Sequence, residues 1–132
     1  MLGIDDSPFT FQSKRALLVG VVARLPTYIE GIMRTECDVD GTDANAAIED
    51  MVMRSRYREQ LKVIMLDGVA VGGFNVVDID HLYRTTGIPC ATVTRALPNY
   101  DDIEDALRTH FKDWKVRLDI IKQHPLYKLI PK

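Results

Sequence analysis

Val63-Ile64-Met65-Leu66-Asp67-Gly68 decides how this chain can be arranged. Four consecutive apolar residues read as a strand buried on both faces, the pattern of an interior strand covered by crossover helices. The run stops abruptly at Asp-Gly. That pair is ordinarily a turn, because glycine takes positive φ cheaply and aspartate bonds its own backbone. It also leaves a carboxylate at the end of an interior strand.

Upstream, Ala16 to Ala23 is a second run apolar on both faces. Leu2 to Asp5 starts a short strand, and Ser7-Pro8-Phe9 breaks it into a polar loop that reaches Lys14. Pro26 to Gly31 reads as a turn. Ile32 to Asp40 alternates, with Met33, Thr35, Cys37 and Val39 on one side and Arg34, Glu36, Asp38 and Asp40 on the other. This predicts a half-exposed strand near an edge.

The period changes after Gly41. Thr42 or Asp43 can cap a helix that presents Ala47, Ile48, Met51, Val52 and Ser55 on one face. Past the Asp67 strand, Gly72-Gly73 leads to Asn75, read as the cap of a helix with Asp78 three residues on. Gly87 and Pro89 stop that helix. Pro89 to Thr94 predicts another strand; Asp101 to Phe111 and Trp114 to His124 predict two helices. The order β-β-β-α-β-α-β-α, with right-handed crossovers, sets the Asp67 strand parallel beside the first. Asp5 and Asp67 are then neighbours, with Asp43 expected to face them from the first helix.

Length and composition bound the rest. The chain has 132 residues, 46% of them hydrophobic and 27% charged, as in an ordinary globular domain, so one domain over 1–132 is expected. No apolar run is long enough to span a bilayer, and no leader pattern opens the chain; a cytoplasmic location without membrane association is expected. Cys37 and Cys90 lack metal-ligand spacing and read as reduced core residues. A net charge of −2 argues against holding nucleic acid by the overall field, so any such site must be local. No Ser-His-Asp set, Cys-His pair or nucleotide-phosphate motif is present. His81, His110 and His124 read as structural or exposed.

The motifs Gly-Ile-Asp-Asp-Ser-Pro-Phe (3–9), Val-Asp-Gly-Thr-Asp-Ala (39–44), Val-Ile-Met-Leu-Asp-Gly (63–68) and Gly-Phe-Asn-Val-Val-Asp (73–78), in this order, resemble the endonuclease dU family. That family is found mainly in archaea and is related to endonuclease V. The resemblance runs from the first residue to about His124. It implies a ribonuclease H-like α/β fold, a mixed five-stranded sheet flanked by helices. It also implies Mg²⁺- or Mn²⁺-dependent cleavage of DNA beside a deaminated base, deoxyuridine, as a step of DNA repair.

Carried over residue by residue, the resemblance makes Asp5 and Asp67 metal ligands, with Asp43 as third ligand and Asp40 as its competitor. Converging carboxylates suit such ions. Arg95 becomes the cation near the phosphate, the alternative being an ion pair with Asp101 or Asp102. Gly72, Gly73, Phe74 and Asn75 either admit a phosphate or flipped base to the backbone or simply connect two elements over the core. Asp6, pointing opposite to Asp5, is expected to bind amides of the Ser7-Pro8 turn. Members of the family continue past the equivalent of His124 with a strand-like stretch and a closing helix, so that helix is expected to be missing here. A homodimer covering the sheet is expected in its place. The rival function is a nucleic-acid-binding or assembly subunit that keeps the fold without turnover.

Overall fold

The computed structural model describes residues 1–7, 14–24, 28–94 and 98–123. They fall into two compact units, Met1–Leu97 and Pro98–Lys132. In the first unit the strands are β1 (Leu2–Asp6), β2 (Arg15–Arg24), β3 (Tyr28–Asp38), β4 (Ile64–Asp67), β5 (Ala70–Val71), β6 (Asn75–Val76) and β7 (Cys90–Val93). The helices are α1 (Ala44–Arg54) and α2 (Ile79–Thr86). Five strands make one mixed sheet in the order β3-β2-β1-β4-β7. The two strands predicted to be interior, β2 and β4, are interior, and β3 is an edge.

β1 pairs antiparallel with β2 and parallel with β4, Leu2, Gly3 and Ile4 lying opposite Ile64, Met65 and Leu66. β4 runs parallel to β7. Alternation sends Leu2, Ile4, Leu18, Val22, Ile64 and Leu66 to one face, where they form a single core with Ile48 and Val52 of α1 and Leu82 of α2. Gly3, Asp5, Val19, Val21, Met65 and Asp67 therefore point to the other face. Within this unit both helices pack on the first face. None of the helices of the described residues is long and apolar enough to cross a membrane.

The second unit carries α3 (Tyr100–His110) and α4 (Trp114–Lys122). Asn99 caps α3 by accepting the Asp102 N–H at 3.2 Å. Arg117 stacks 4.0 Å from the Phe111 ring while its Nε donates to Asp113 at 3.0 Å.

Three local expectations are corrected. The segment read as a turn to Gly31 is already strand from Tyr28, because pairing with β2 overrides the turn propensity of Gly31. α2 is capped by Asp78, which accepts the His81 N–H at 3.1 Å. Asn75 lies instead in a two-strand hairpin, β5–β6, that the sequence pattern did not reveal. Finally, α1 begins after Asp43, yet the Asp43 side chain makes no capping bond to it. Asn75 does so from across the fold: its Oδ1 accepts the Ala44 N–H at 3.0 Å.

Asn75 is fully buried, and both its amide hydrogens are also used, on the Asp38 carbonyl at 2.9 Å and on Asp43 Oδ1 at 2.8 Å. Truncation would strand the buried Ala44 N–H and leave two part-buried acceptors, the Asp38 carbonyl and Asp43 Oδ1, without this partner. Asn75→Ala is expected to cost about 2–4 kcal/mol of stability, since each unpaired buried group costs about 1–3 kcal/mol and some regain water. Urea unfolding of the variant measures it; a loss under about 1 kcal/mol, the net worth of a single ordinary hydrogen bond, would show that Asn75 is not a brace.

Candidate active site

Extending the β1–β4 register by one residue brings Asp5 opposite Asp67, on strands about 4.8 Å apart. Both end their strands on the same face, and both are exposed. Together with Gly3, Ile4, Val19, Val21, Met65, Leu66 and Val93 they line a shallow depression of about 450 Å³. A side chain at Gly3 would meet nothing within 4 Å, so the floor of the depression beside the carboxylates is open. Asp5 Oδ1 accepts the Asp6 N–H at 2.9 Å. Asp67 is not a buried strand-end charge, as the apolar run before it suggested; alternation turns it away from the core.

The Asp5 carboxyl is held above the usual range, first by desolvation, with the neighbouring Asp6 and Asp67 charges adding to it and the Asp6 N–H bond opposing. A cation beside Asp5 would offset the repulsion that the neighbouring carboxylates exert on it.

The other carboxylates do something different. Asp43 Oδ1 accepts the Asp38 N–H at 2.9 Å as well as the Asn75 amide, and its Oδ2 lies 3.4 Å from Arg15. Asp40 Oδ1 accepts the Phe74 N–H at 2.8 Å, and Asp6 Oδ2 the Gly72 N–H at 2.7 Å. Asp43 therefore does not face the Asp5–Asp67 pair. α1 packs on the core face of the sheet, whereas the pair points to the opposite face. Nor does Asp40 join it. Among the described residues, no group of three His, Cys, Asp or Glu converges on a point that could hold a metal ion.

The glycine-rich loop belongs to this second set. Gly72 and Gly73 have φ of 56° and 86°, and any side chain at Gly73 would collide with Asp40 Oδ1. The Gly72 and Phe74 N–H groups and all of the Asn75 amide are bonded within the chain, so the loop is clamped by carboxylates and is not open to a phosphate. Asp6 likewise binds this loop, its Oδ2 accepting the Gly72 N–H; Pro8 of the turn expected as its partner lies outside the described residues. Arg95 lies outside the described residues, as does the tail from His124 onward.

Arg15 was missed in the sequence. It reaches Asp38 at 2.8 Å, Glu36 at 3.6 Å and Asp43 at 3.4 Å. Its signal was present in the β2–β3 hairpin, whose register pairs Arg15 with Asp38, but that register is visible only once the turn is placed. Both cysteines behave as expected of core thiols, burial pushing each up to about 11.

The comparisons with known proteins agree with this architecture. The family model for endonuclease dU matches residues 1–132. The chain belongs to the endonuclease dU family. A UPF0215 protein of Thermococcus gammatolerans is 44% identical over 136 residues, 99% of this chain and 69% of that protein. One of Methanosarcina acetivorans is 46% identical over 123 residues, 93% of this chain and 61% of that protein. The chain thus spans about two thirds of the length of such relatives. A solved protein of unknown function from Archaeoglobus fulgidus has a TM-score of 0.83 at 41% identity, over 92% of this chain and 67% of its own. Human ENDOV has a TM-score of 0.51 at 20% identity, over 82% of this chain and 52% of its own. The fold is that of endonuclease V, ribonuclease H-like α/β.

Asp5 and Asp43 have opposite pH signatures. The Asp5 pKa is raised above 3.8; the protonated form is favoured in the fold, so its contribution is fully present below pH 3.8 and is lost as pH rises through the folded value. For Asp43, desolvation alone would raise the pKa, but the Asp38 N–H, the Asn75 amide and Arg15 outweigh it and hold the carboxyl below 3.8. That contribution is present above 3.8 and lost as pH falls through the folded value. In chelator at neutral pH, Asp5→Asn is expected to raise the melting temperature and Asp43→Asn to lower it. Both differences should shrink toward pH 3. Melting curves across pH 3–7 check the signs.

Proposed function

We propose that this protein is a metal-dependent endonuclease that cuts DNA beside deoxyuridine in DNA repair, with Asp5 and Asp67 holding Mg²⁺ or Mn²⁺. The observation that carries the reading is the pairing of these two carboxylates at the ends of adjacent parallel strands, over an open depression. Membership of the endonuclease dU family supports the reaction class and the nucleic-acid substrate. The donor set fits the ion. Mg²⁺ is commonly held by one or two carboxylates, its remaining positions filled by water and substrate phosphate oxygens.

When bound, the ion supplies a polarised water and a positive charge beside the scissile phosphate. Hydrolysis joins the water oxygen to phosphorus and breaks one P–O ester bond, the departing oxygen taking up a proton. Asp5 and Asp67 would fix the ion's place beside the apolar floor of Val19, Val21 and Met65. Arg95 would add a second positive charge at the phosphate. Asp43 and Asn75 act at a distance, by holding the frame of α1 against the sheet.

A second reading, a nucleic-acid-binding or assembly module without turnover, is favoured by the absence of a third converging ligand among the described residues. A labelled duplex with one deoxyuridine separates the two. With Mg²⁺ or Mn²⁺ the protein should nick it and leave undamaged duplex intact; chelator, Asp5→Asn or Asp67→Asn should each lower cleavage by at least about 100-fold, the scale of a lost electrostatic catalyst. Binding without cleavage in metal would select the second reading. Cleavage that persists in chelator, or in the Asp5→Asn/Asp67→Asn double variant, would exclude the metal site.

A further inference from the structure

β3 is an edge strand of the five-stranded sheet. The reciprocal bonds between Met1 and Ala23, Met1 N to Ala23 O at 2.9 Å and Ala23 N to Met1 O at 2.8 Å, fix the parity of β2. Residues 17, 19 and 21 of β2 turn their peptide groups toward β1, and residues 16, 18, 20 and 22 toward β3. The register then gives the bonded β2–β3 pairs as Ala16/Cys37, Leu18/Thr35, Gly20/Met33 and Val22/Gly31. The peptide groups of Ile32, Arg34 and Glu36 consequently point out of the sheet.

The edge is closed at both ends of this stretch and open in the middle. The Asp38 N–H and carbonyl are taken by Asp43 and Asn75, and the Glu30 carbonyl accepts the Tyr57 hydroxyl at 3.0 Å. Between them, within the first unit, the peptide groups of Ile32, Arg34 and Glu36 make no hydrogen bond to a described residue. β3 has neither proline nor lysine, the usual guards of an exposed edge. Of the six exposed large hydrophobic side chains among the described residues, Tyr28, Ile29 and Ile32 belong to it.

We infer that β3 is a homodimer interface, two copies joining antiparallel across a two-fold axis at Thr35 to continue the sheet. Charge selects this register. It faces each Arg34 with Glu36 of the second copy, twice over, on the side of the sheet that carries Asp5. A two-fold at Met33 would oppose Glu30 to Glu36, and one at Arg34 would oppose arginine to arginine. An axis at Ile32 would need the Glu30 segment, where the β2–β3 register shifts and Tyr57 already binds. Arg34 has no ion pair among the described residues, and Glu36 gives up only its 3.6 Å contact with Arg15.

In this register Thr35 meets Thr35 as a non-hydrogen-bonded pair, with Cα atoms about 4.5 Å apart, inside the range a disulfide can bridge. Sedimentation of the full chain at micromolar concentration should give twice 15.0 kDa. Arg34→Glu should weaken association about tenfold, two facing pairs turning from attraction to repulsion. Arg34→Glu with Glu36→Arg should restore it. Thr35→Cys should yield a covalent dimer on a non-reducing gel, with the wild type as control for Cys37 and Cys90. A monomer at every concentration, or a dimer that Arg34→Glu leaves unmoved and Thr35→Cys fails to trap, would overturn the inference.

Discussion

The parallel ladder between β1 and β4 is the constraint on which the rest depends. Leu2 and Ile4 meet Ile64 and Leu66 across it, and all four are nearly or wholly buried under α1 and α2. A strand's period of two leaves no freedom beyond that. Once these four side chains are committed to the core, Asp5 and Asp67 must point to the far side, next to each other. A slip of one residue would bury both carboxylates and expose the leucines and isoleucines, at a cost no other contact offsets. The site is thus held by the hydrophobic core, although neither carboxylate touches it.

The chain's acidic motifs serve two purposes, and alternation divides them. Asp5 belongs to the open face, while Asp6, its immediate neighbour, belongs to the side of the glycine loop, where it binds the Gly72 N–H. Asp40 and Asp43 join Asp6 there. These three carboxylates and Asn75 bond backbone groups that β3, the β5–β6 hairpin and the start of α1 would otherwise leave unpaired, while Arg15 pairs with the Asp38, Glu36 and Asp43 carboxylates. The arrangement ties the edge of the sheet to the helix. It explains why Asp40 tolerates a φ of 57°: both its backbone N–H, to the Gly72 carbonyl at 2.8 Å, and its carboxylate hold the same loop. Polar residues thus build the frame on one side and leave the exposed Asp5–Asp67 pair on the other.

The sequence by itself determined the sheet. Two-sided apolarity placed β2 and β4 in the interior, alternation placed β3 at an edge, and the crossover rule made β4 parallel to β1. These are properties of local pattern and chain handedness. The neighbouring of Asp5 and Asp67 followed from them, so the pair was legible before any coordinate. The motifs at 3–9, 39–44, 63–68 and 73–78 carried the family.

Only the tertiary structure decided which carboxylates stand together. Asp43 and Asp5 both read as candidate ligands along the chain, and what separates them is the face of the sheet on which α1 packs. Asn75 has the local look of a helix cap, and it is one, but for α1 more than thirty residues earlier, α2 being capped by Asp78. The β5–β6 hairpin is too short to show a period, and Arg15 finds its three acidic partners only through the register of a hairpin whose turn the pattern had placed too late. Each of these depends on which distant backbone groups are left without partners once the sheet has formed. That is a property of the folded chain as a whole and is written in no single stretch of it.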